Sequence, residues 1–335
     1  MPSKRVAFHH ILCPTDFSEL SDRALRRAVE IARWFGAPLT ALHVIPLGSP
    51  ALLLGGAAGG GYAMVPEELA QEDRRAAADA LRRCVTASHS ADMRVRTTLL
   101  EGDPAMQIEA TAEALSADLV VMGTHGRSGW DRVALGSVTE KVMRRVSCPV
   151  LAVGPKGPLN AGPLFHQIVC ATDLTPASKH TLDLALSLAQ ESLARITLLH
   201  VVEGGLGQPV PTVHAWAADE LPVNRSVLEL AQQELYRAGL HARPFCRVTE
   251  RVETGTAGRE IVRVAQETAA DLIVVGAHAS GGFGRLFLGS TANQVLRHAP
   301  CPVLIARERR PFEEAGVMDP VVTRHSEARL LERRA

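Results

Sequence analysis

Residues 117–137 read ADLVVMGTHGRSGWDRVALGS. The run ADLVVM is short, apolar on consecutive positions and rich in β-branched side chains, the pattern of a strand covered on both faces. It delivers the chain to Gly123, Gly126 and Gly129, and the segment closes on Gly136-Ser137 ahead of the helical spacing Val138, Val142, Val146. Glycines let backbone amides approach an anion closely. A helix N-terminus adds unpaired N–H groups and a favourable dipole. Ser137 also stands three residues before Glu140, the spacing of a capping box that would start the helix; phosphate binding and capping do not exclude each other. The stretch is not a Walker loop, since no GxxxxGK[ST] occurs.

The stretch recurs. ADLIVVGAHA at 270–279 repeats ADLVVMGTHG, and FLGSTANQVLRHAPCPVLIA at 287–306 repeats ALGSVTEKVMRRVSCPVLAV at 134–153. Further upstream, HQIVCATDLT at 166–175 repeats HHILCPTDFS at 9–18, and ITLLHVV at 196–202 repeats LTALHVI at 39–45. The offset is 157 residues in the two upstream pairs and 153 in the two downstream ones, so a whole domain is duplicated with a four-residue difference inside. The expected organisation is a first domain over 1–155, a second over 165–306, and a charged tail, 307–335, with a short helix near Ala328. A linker rich in Pro and Gly, PKGPLNAGPL, joins them at 155–164.

Each half alternates strands and helices. In the first, strands are expected near 10–14, 39–45, 93–99, 118–122 and 149–153, and Ala24, Ala28, Ile31, Ala32 and Phe35 follow helical spacing. Five strands with helices between them predict an α/β fold with a doubly wound parallel sheet in each half. Ligands of such sheets bind beyond the carboxyl ends of the strands, at the switch point. CPVLAV and CPVLIA open on proline, which suits the start of a strand or an edge. These apolar last strands are expected to pair with each other, giving an internal pseudo-dimer, with a homodimer of whole chains left open.

Composition narrows the function. Formal net charge is zero, with 36 basic and 36 acidic residues, which argues against nucleic acid. Aromatics are 4%, too few for base-stacking platforms. The six cysteines include no CxxC pair, so neither a zinc ribbon nor thioredoxin chemistry is indicated, and a reducing cytoplasm is expected. Trp34–Pro66 lacks charge, yet Pro38, Pro46, Pro50 and the Gly55–Gly61 cluster break helices, so a strand and loop are expected there rather than a membrane span.

The spacing G-x2-G-x9-G-[ST], with PTDFS after the first strand, LHVI in the second and CPVLAV in the last, resembles the ATP-binding branch of the universal stress protein family. The resemblance covers both halves. It implies an adenine nucleotide alpha hydrolase-like, Rossmann-like fold and a nucleotide-responsive regulator of stress responses rather than an enzyme. Pro14 and Thr15 would line the adenine pocket, Asp16 would reach the ribose and the phosphate or metal region, and Val44 would meet adenine through its backbone. Gly123, Gly126, Gly129, Gly136 and Ser137 would cradle ribose and phosphates, with Mg²⁺ or Mn²⁺ riding on the phosphates. Slow ATP hydrolysis or phosphotransfer and a ligand-free scaffold are the alternatives; no catalytic residue is assigned.

The residues themselves are less one-sided. Asp16 could cap a helix, but Ser18 aligns with Thr175, which precedes Pro176 as an N-cap should, and this leaves Asp16 free for ligand. Val44 and Val201 read more readily as core, and His43 and His200 read as satisfied strand histidines. His125 and His278 lie in the loops without an identifiable carboxylate; Arg132 and Arg285 suit either phosphate or solvent. In the second copy Asp173, Val201, Gly276, Gly289 and Ser290 are retained, but Ala279 replaces the second motif glycine. A Cβ in a left-handed position costs ~1–2 kcal/mol, so the second site is expected to bind more weakly.

Overall fold

The computed structural model describes residues 8–46, 67–88, 93, 95–125, 135–157, 164–203, 223–277 and 288–307. The first half runs β1 (Ile11–Pro14), α1 (Glu19–Phe35), β2 (Leu39–Ile45), α2 (Glu67–Ser88), β3 (Val95–Glu101), α3 (Pro104–Ala114), β4 (Leu119–Gly123), α4 (Ser137–Arg145) and β5 (Val150–Val153). The second repeats it: β6 (Gln167–Ala171), a 3-10 turn (Pro176–Ser178), α5 (Lys179–Ser192), β7 (Arg195–Val202), α6 (Val223–Gly239), β8 (Val248–Thr254), α7 (Ala257–Glu267), β9 (Leu272–Gly276), α8 (Ser290–His298) and β10 (Val303–Ala306).

The ten strands form one sheet in the order β3-β2-β1-β4-β5-β10-β9-β6-β7-β8. Pairing within each half is parallel, and β5 meets β10 antiparallel, with Leu151 opposite Leu304. The expected doubly wound halves are therefore present, and their last strands pair inside one chain. Pro149 and Pro302 sit just before β5 and β10 and use only their carbonyls, accepting from Val120 and Ile273, so the missing N–H costs nothing. Because the central pair is antiparallel, the carboxyl ends of the two parallel sets lie at opposite edges of the sheet.

Two apolar layers cover the sheet. One contains Ala24, Leu25, Ala28 and Ile31 of α1 with residues of α2, α5 and α6; the other contains Ile108, Val142, Ile261 and Val295 of α3, α4, α7 and α8. The predicted α1 face is the buried one, and Gly36 ends the helix in the left-handed region at φ 64°, its N–H on the Ala32 and Arg33 carbonyls. β3 spans 95–101 rather than 93–99. It is a half-exposed edge strand with little periodicity, and its end is set by Gly102 N–H on the Ile45 carbonyl and by Asp103 capping α3.

Two arginines of α1 hold the junction of the halves. Arg23 donates to the Gly154 and Gly157 carbonyls, and Arg27, 2% exposed, donates to the Leu164 carbonyl and to Glu30 while lying 4.7 Å over the Phe165 ring. At the aligned positions the second copy has His180 and Leu184. All six cysteines are free thiols; burial pushes Cys170 and Cys301 up to about 12. Among the described residues no helix is long and apolar enough to cross a membrane. The expected tail helix, most of the 155–164 linker and the Gly55–Gly61 segment lie outside the described residues.

Candidate functional site

β1 carries the reversal of strand order in the first half: the chain leaves it toward β2 on one side and returns beside it as β4 on the other. The carboxyl ends of β1 and β4 therefore flank one crevice at the switch point. The tip of β1 is Pro14-Thr15-Asp16-Phe17-Ser18. Thr15 is 5% exposed, and its hydroxyl accepts from Phe17 N–H at 3.1 Å and bonds Ser21 Oγ at 3.0 Å. This holds Phe17 at φ 63°, a conformation that costs a non-glycine residue ~1–2 kcal/mol. The second half repeats the device: Thr172 Oγ1 accepts from Leu174 N–H at 3.0 Å, with Leu174 at φ 59°. The same strain therefore stands at the same place in both copies.

Asp16 is not free, contrary to expectation. Its Oδ1 accepts from Ser18 N–H at 3.1 Å and from Ser18 Oγ at 2.6 Å, closing a turn. Ser18 is nevertheless the cap, as expected, and accepts from Ser21 N–H. A carboxylate has about four acceptor sites, and the turn to Ser18 uses Oδ1 of Asp16 for both of its bonds. Asp173 makes the same turn with Thr175, at 3.1 and 2.7 Å.

Across the crevice, β4 ends at Gly123, packed against the α1 backbone: an added Cβ would stand 3.1 Å from the Leu20 carbonyl carbon. A side chain at position 123 would therefore press α1 away by a few tenths of an ångström. Neither Gly123 nor Gly136 is among the glycines with positive φ. Gly136 is the N-cap of α4 and donates to the Thr124 carbonyl at 2.8 Å, while Thr139 Oγ1 donates to the Gly123 carbonyl at 2.9 Å. Ser137 is the first residue of the helix and not its cap, which corrects the capping-box expectation; Gly136 takes that position because its own amide is already tied to Thr124. The first helical bond is Glu140 N–H to the Gly136 carbonyl, so the amides of Ser137, Val138 and Thr139 lack a partner within the helix. In the second half Gly289 donates to the Ala277 carbonyl and caps α8, and Ser290 opens it. Gly126, Gly129, Arg132, His278, Ala279 and Arg285 lie outside the described residues.

The strand histidines are satisfied, as expected. His43 Nδ1 lies 2.7 Å from the Thr15 carbonyl and His200 Nδ1 2.9 Å from the Thr172 carbonyl. A carbonyl only accepts, so both rings carry their proton on Nδ1. His43 also faces the Phe17 ring, centroids 4.2 Å apart. His125 Nδ1 bonds Thr124 Oγ1 at 3.0 Å, and its buried Nε2 has no hydrogen-bond partner among the described residues. The Val44 side chain is buried in the core and Val201 is half-buried. Sequence reading missed the paired Thr–His contacts; the available signal was that Thr15/Thr172 and His43/His200 recur at matching positions of both copies.

Fold and site define a tandem doubly wound α/β protein with one crevice per half, each walled by a strained acidic turn and by the amide end of a helix. The universal stress protein family model matches residues 7–154 and 164–307, and the chain belongs to that family. It is 30% identical over 308 residues to a universal stress protein of Mycolicibacterium smegmatis, a match spanning 89% of this chain and 97% of the relative. A universal stress protein of Methanocaldococcus jannaschii is 37% identical over 146 residues, 44% of this chain and 82% of the relative. The same fold is seen in the crystal structure of a universal stress protein from Archaeoglobus fulgidus, with 21% identity, a TM-score of 0.63, and 90% and 96% of the two chains covered.

Proposed function

We propose that the first-half crevice binds an adenine nucleotide, ATP foremost, and that occupancy makes the chain a nucleotide-responsive regulator. The observation that supports this most is the set of amides at Ser137, Val138 and Thr139, which have no partner within the helix, anchored to the end of β4 beside the β1 tip. A helix terminus of this kind suits phosphate. The oxygen-bearing Asp16 turn suits ribose hydroxyls or a Mg²⁺ or Mn²⁺ held by the phosphates. Pro14, Thr15 and Val44 would frame the base, and Gly123, Gly126, Gly129 and Gly136 would shape the loop. The domain unit is 1–155, with 165–306 as the second and 307–335 as an appendage. The second site, built on Asp173, Val201, Gly276, Gly289 and Ser290, binds more weakly because of Ala279. The protein acts in the cytoplasm, alone or as a dimer of chains.

Binding converts to regulation only if the ligand prefers one of two conformations; the strained β1 tip is the element that could move. Titration of the full chain and of its Asp16→Ala and Asp173→Ala variants with MgATP tests the assignment. Loss of the tighter event in Asp16→Ala supports it, and loss of that event in Asp173→Ala contradicts it. Phosphate release on ATP addition would favour slow hydrolysis instead.

A further inference from the structure

The two halves differ where α1 and α5 end. Phe35, the last residue of α1, lays its ring edge-on to Phe8, with centroids 5.1 Å apart and planes at 77°. At the aligned places the second half keeps Phe165 for Phe8 but has Ser192 for Phe35. Two neighbouring positions change in the same sense: Arg195 stands for Pro38, and Thr268 for Leu115. Three apolar residues of the first half are thus polar in the second, and no ring of α5 covers Phe165 as Phe35 covers Phe8. In that place lies a cavity of about 550 Å³, walled by Phe165, Ser192, Arg195 and Thr268 of the second half and by Trp34 of the first. This is the size of a small-molecule site.

Ser192 supplies an independent observation. It is 3% exposed, and its buried Oγ has no hydrogen-bond partner among the described residues. A serine or threonine at a helix end can return its hydroxyl to the carbonyl four residues back. Thr268 does so, to Val264 at 2.7 Å, and Ser192 does not. A buried polar group without a partner calls for a physical reason, and a ligand that bonds it is one. The charge of the wall is also one-sided. Arg195 is exposed at the start of β7, and its guanidinium makes no ion pair or hydrogen bond among the described residues, whereas Glu191 in the same wall is already engaged.

We propose that this cavity is a further ligand site, and that it takes a small aromatic carboxylate. The ring of the ligand stands against Phe165 as the Phe35 ring stands against Phe8, with Trp34 flanking it; aromatic pairs favour such edge-to-face contact. The carboxylate meets Arg195, whose planar fork matches it, and Ser192 gains a partner. The site is separate from the nucleotide crevices. Trp34 lies at the far end of α1 from the Asp16 turn, a 17-residue helix and so roughly 25 Å away. Arg195 opens β7, whereas the crevices lie beyond the carboxyl ends of the strands.

The test titrates the full chain by calorimetry with 2-naphthoate, a two-ring carboxylate, and with its uncharged amide. The wild type is expected to bind 2-naphthoate with a Kd of about 1 mM or tighter, and at least ~10-fold more tightly than the amide. Ser192→Phe places in the cavity the ring that the first half has there. It should abolish binding of both probes while the urea midpoint stays level or rises. Arg195→Gln should bring the affinity for 2-naphthoate down to that for the amide. Asp16→Ala should leave 2-naphthoate binding unchanged. No uptake by the wild type at millimolar 2-naphthoate overturns the proposal, as does binding that survives in Ser192→Phe or is lost in Asp16→Ala. Equal affinity of the wild type for carboxylate and amide overturns the assignment of the ligand as an anion. Should Ser192→Phe lower the urea midpoint, the exposed variant Arg195→Gln decides, and an unchanged ratio of the two affinities overturns the proposal.

Discussion

Thr15→Val removes one oxygen at nearly constant volume and so isolates what the β1 tip costs to hold. The hydroxyl bonds Phe17 N–H at 3.1 Å and Ser21 Oγ at 3.0 Å in a site that is 5% exposed. A neutral hydrogen bond is worth about 1 kcal/mol net, and a buried donor left without a partner costs about 1–3 kcal/mol. Ser21 Oγ still reaches the Ser18 carbonyl at 2.9 Å, so its loss is small. Phe17 N–H is the group left stranded, in a backbone already strained at φ 63°. The expected destabilisation is about 2–3 kcal/mol, with Thr15→Ser close to wild type. Thr172→Val repeats the experiment in the second half, where the hydroxyl bonds Leu174 N–H at 3.0 Å and Ser178 Oγ at 2.7 Å. Urea denaturation of the full chain followed by circular dichroism reads the change. A loss below about 0.5 kcal/mol in both variants would show that the hydroxyl does not hold the turn.

Arg27→Met should destabilise the chain by about 2–4 kcal/mol, because it strands the buried Leu164 carbonyl and removes the cation from the Phe165 face, whereas Glu30 can rehydrate; the same denaturation series measures it. Leu193 sits at φ 53° and is 80% exposed, where the first half has Gly36 at φ 64°. Leu193→Gly should therefore stabilise by about 0.5–1 kcal/mol after the entropy cost of glycine is deducted, read as a higher urea midpoint. Desolvation, opposed by Asp118 and aided by Arg96, lowers the His10 pKa below 6.5. The unfolded state then binds the proton more readily, so this contribution is complete above 6.5 and is lost as pH falls through the folded value. Stability should drop more between pH 7 and 5.5 in the wild type than in His10→Gln, which can keep the bond that His10 Nε2 makes to Thr40.

Much of the architecture was legible because burial on both sides of a parallel sheet writes itself into consecutive apolar residues. β2 falls on 39–45 as expected, since LTALHVI is bounded by Pro38 and Pro46. β3 slipped by two residues because an edge strand needs no such run, and its limits come from Gly102 and Asp103. At the site, residue types marked the place but not the bonding. Asp16 was expected to be free because capping was assigned to Ser18; Ser18 does cap the helix, and Asp16 is the group that holds Ser18 in place. The bond of His43 to the Thr15 carbonyl depends on which strand lies beside β1, a long-range fact that local patterns do not carry. The Arg23 and Arg27 contacts were hidden for the same reason, although the unlike residues His180 and Leu184 in the second copy hinted that those positions serve the junction.

Native mass spectrometry of the gently purified full chain, with release and identification of any bound small molecule and back-titration with MgATP, addresses the nucleotide site most directly. One adenine nucleotide per chain held by the wild type, weakened at least ~10-fold by Asp16→Ala, is the predicted result. A chain that retains no nucleotide and takes up none at millimolar MgATP would contradict it.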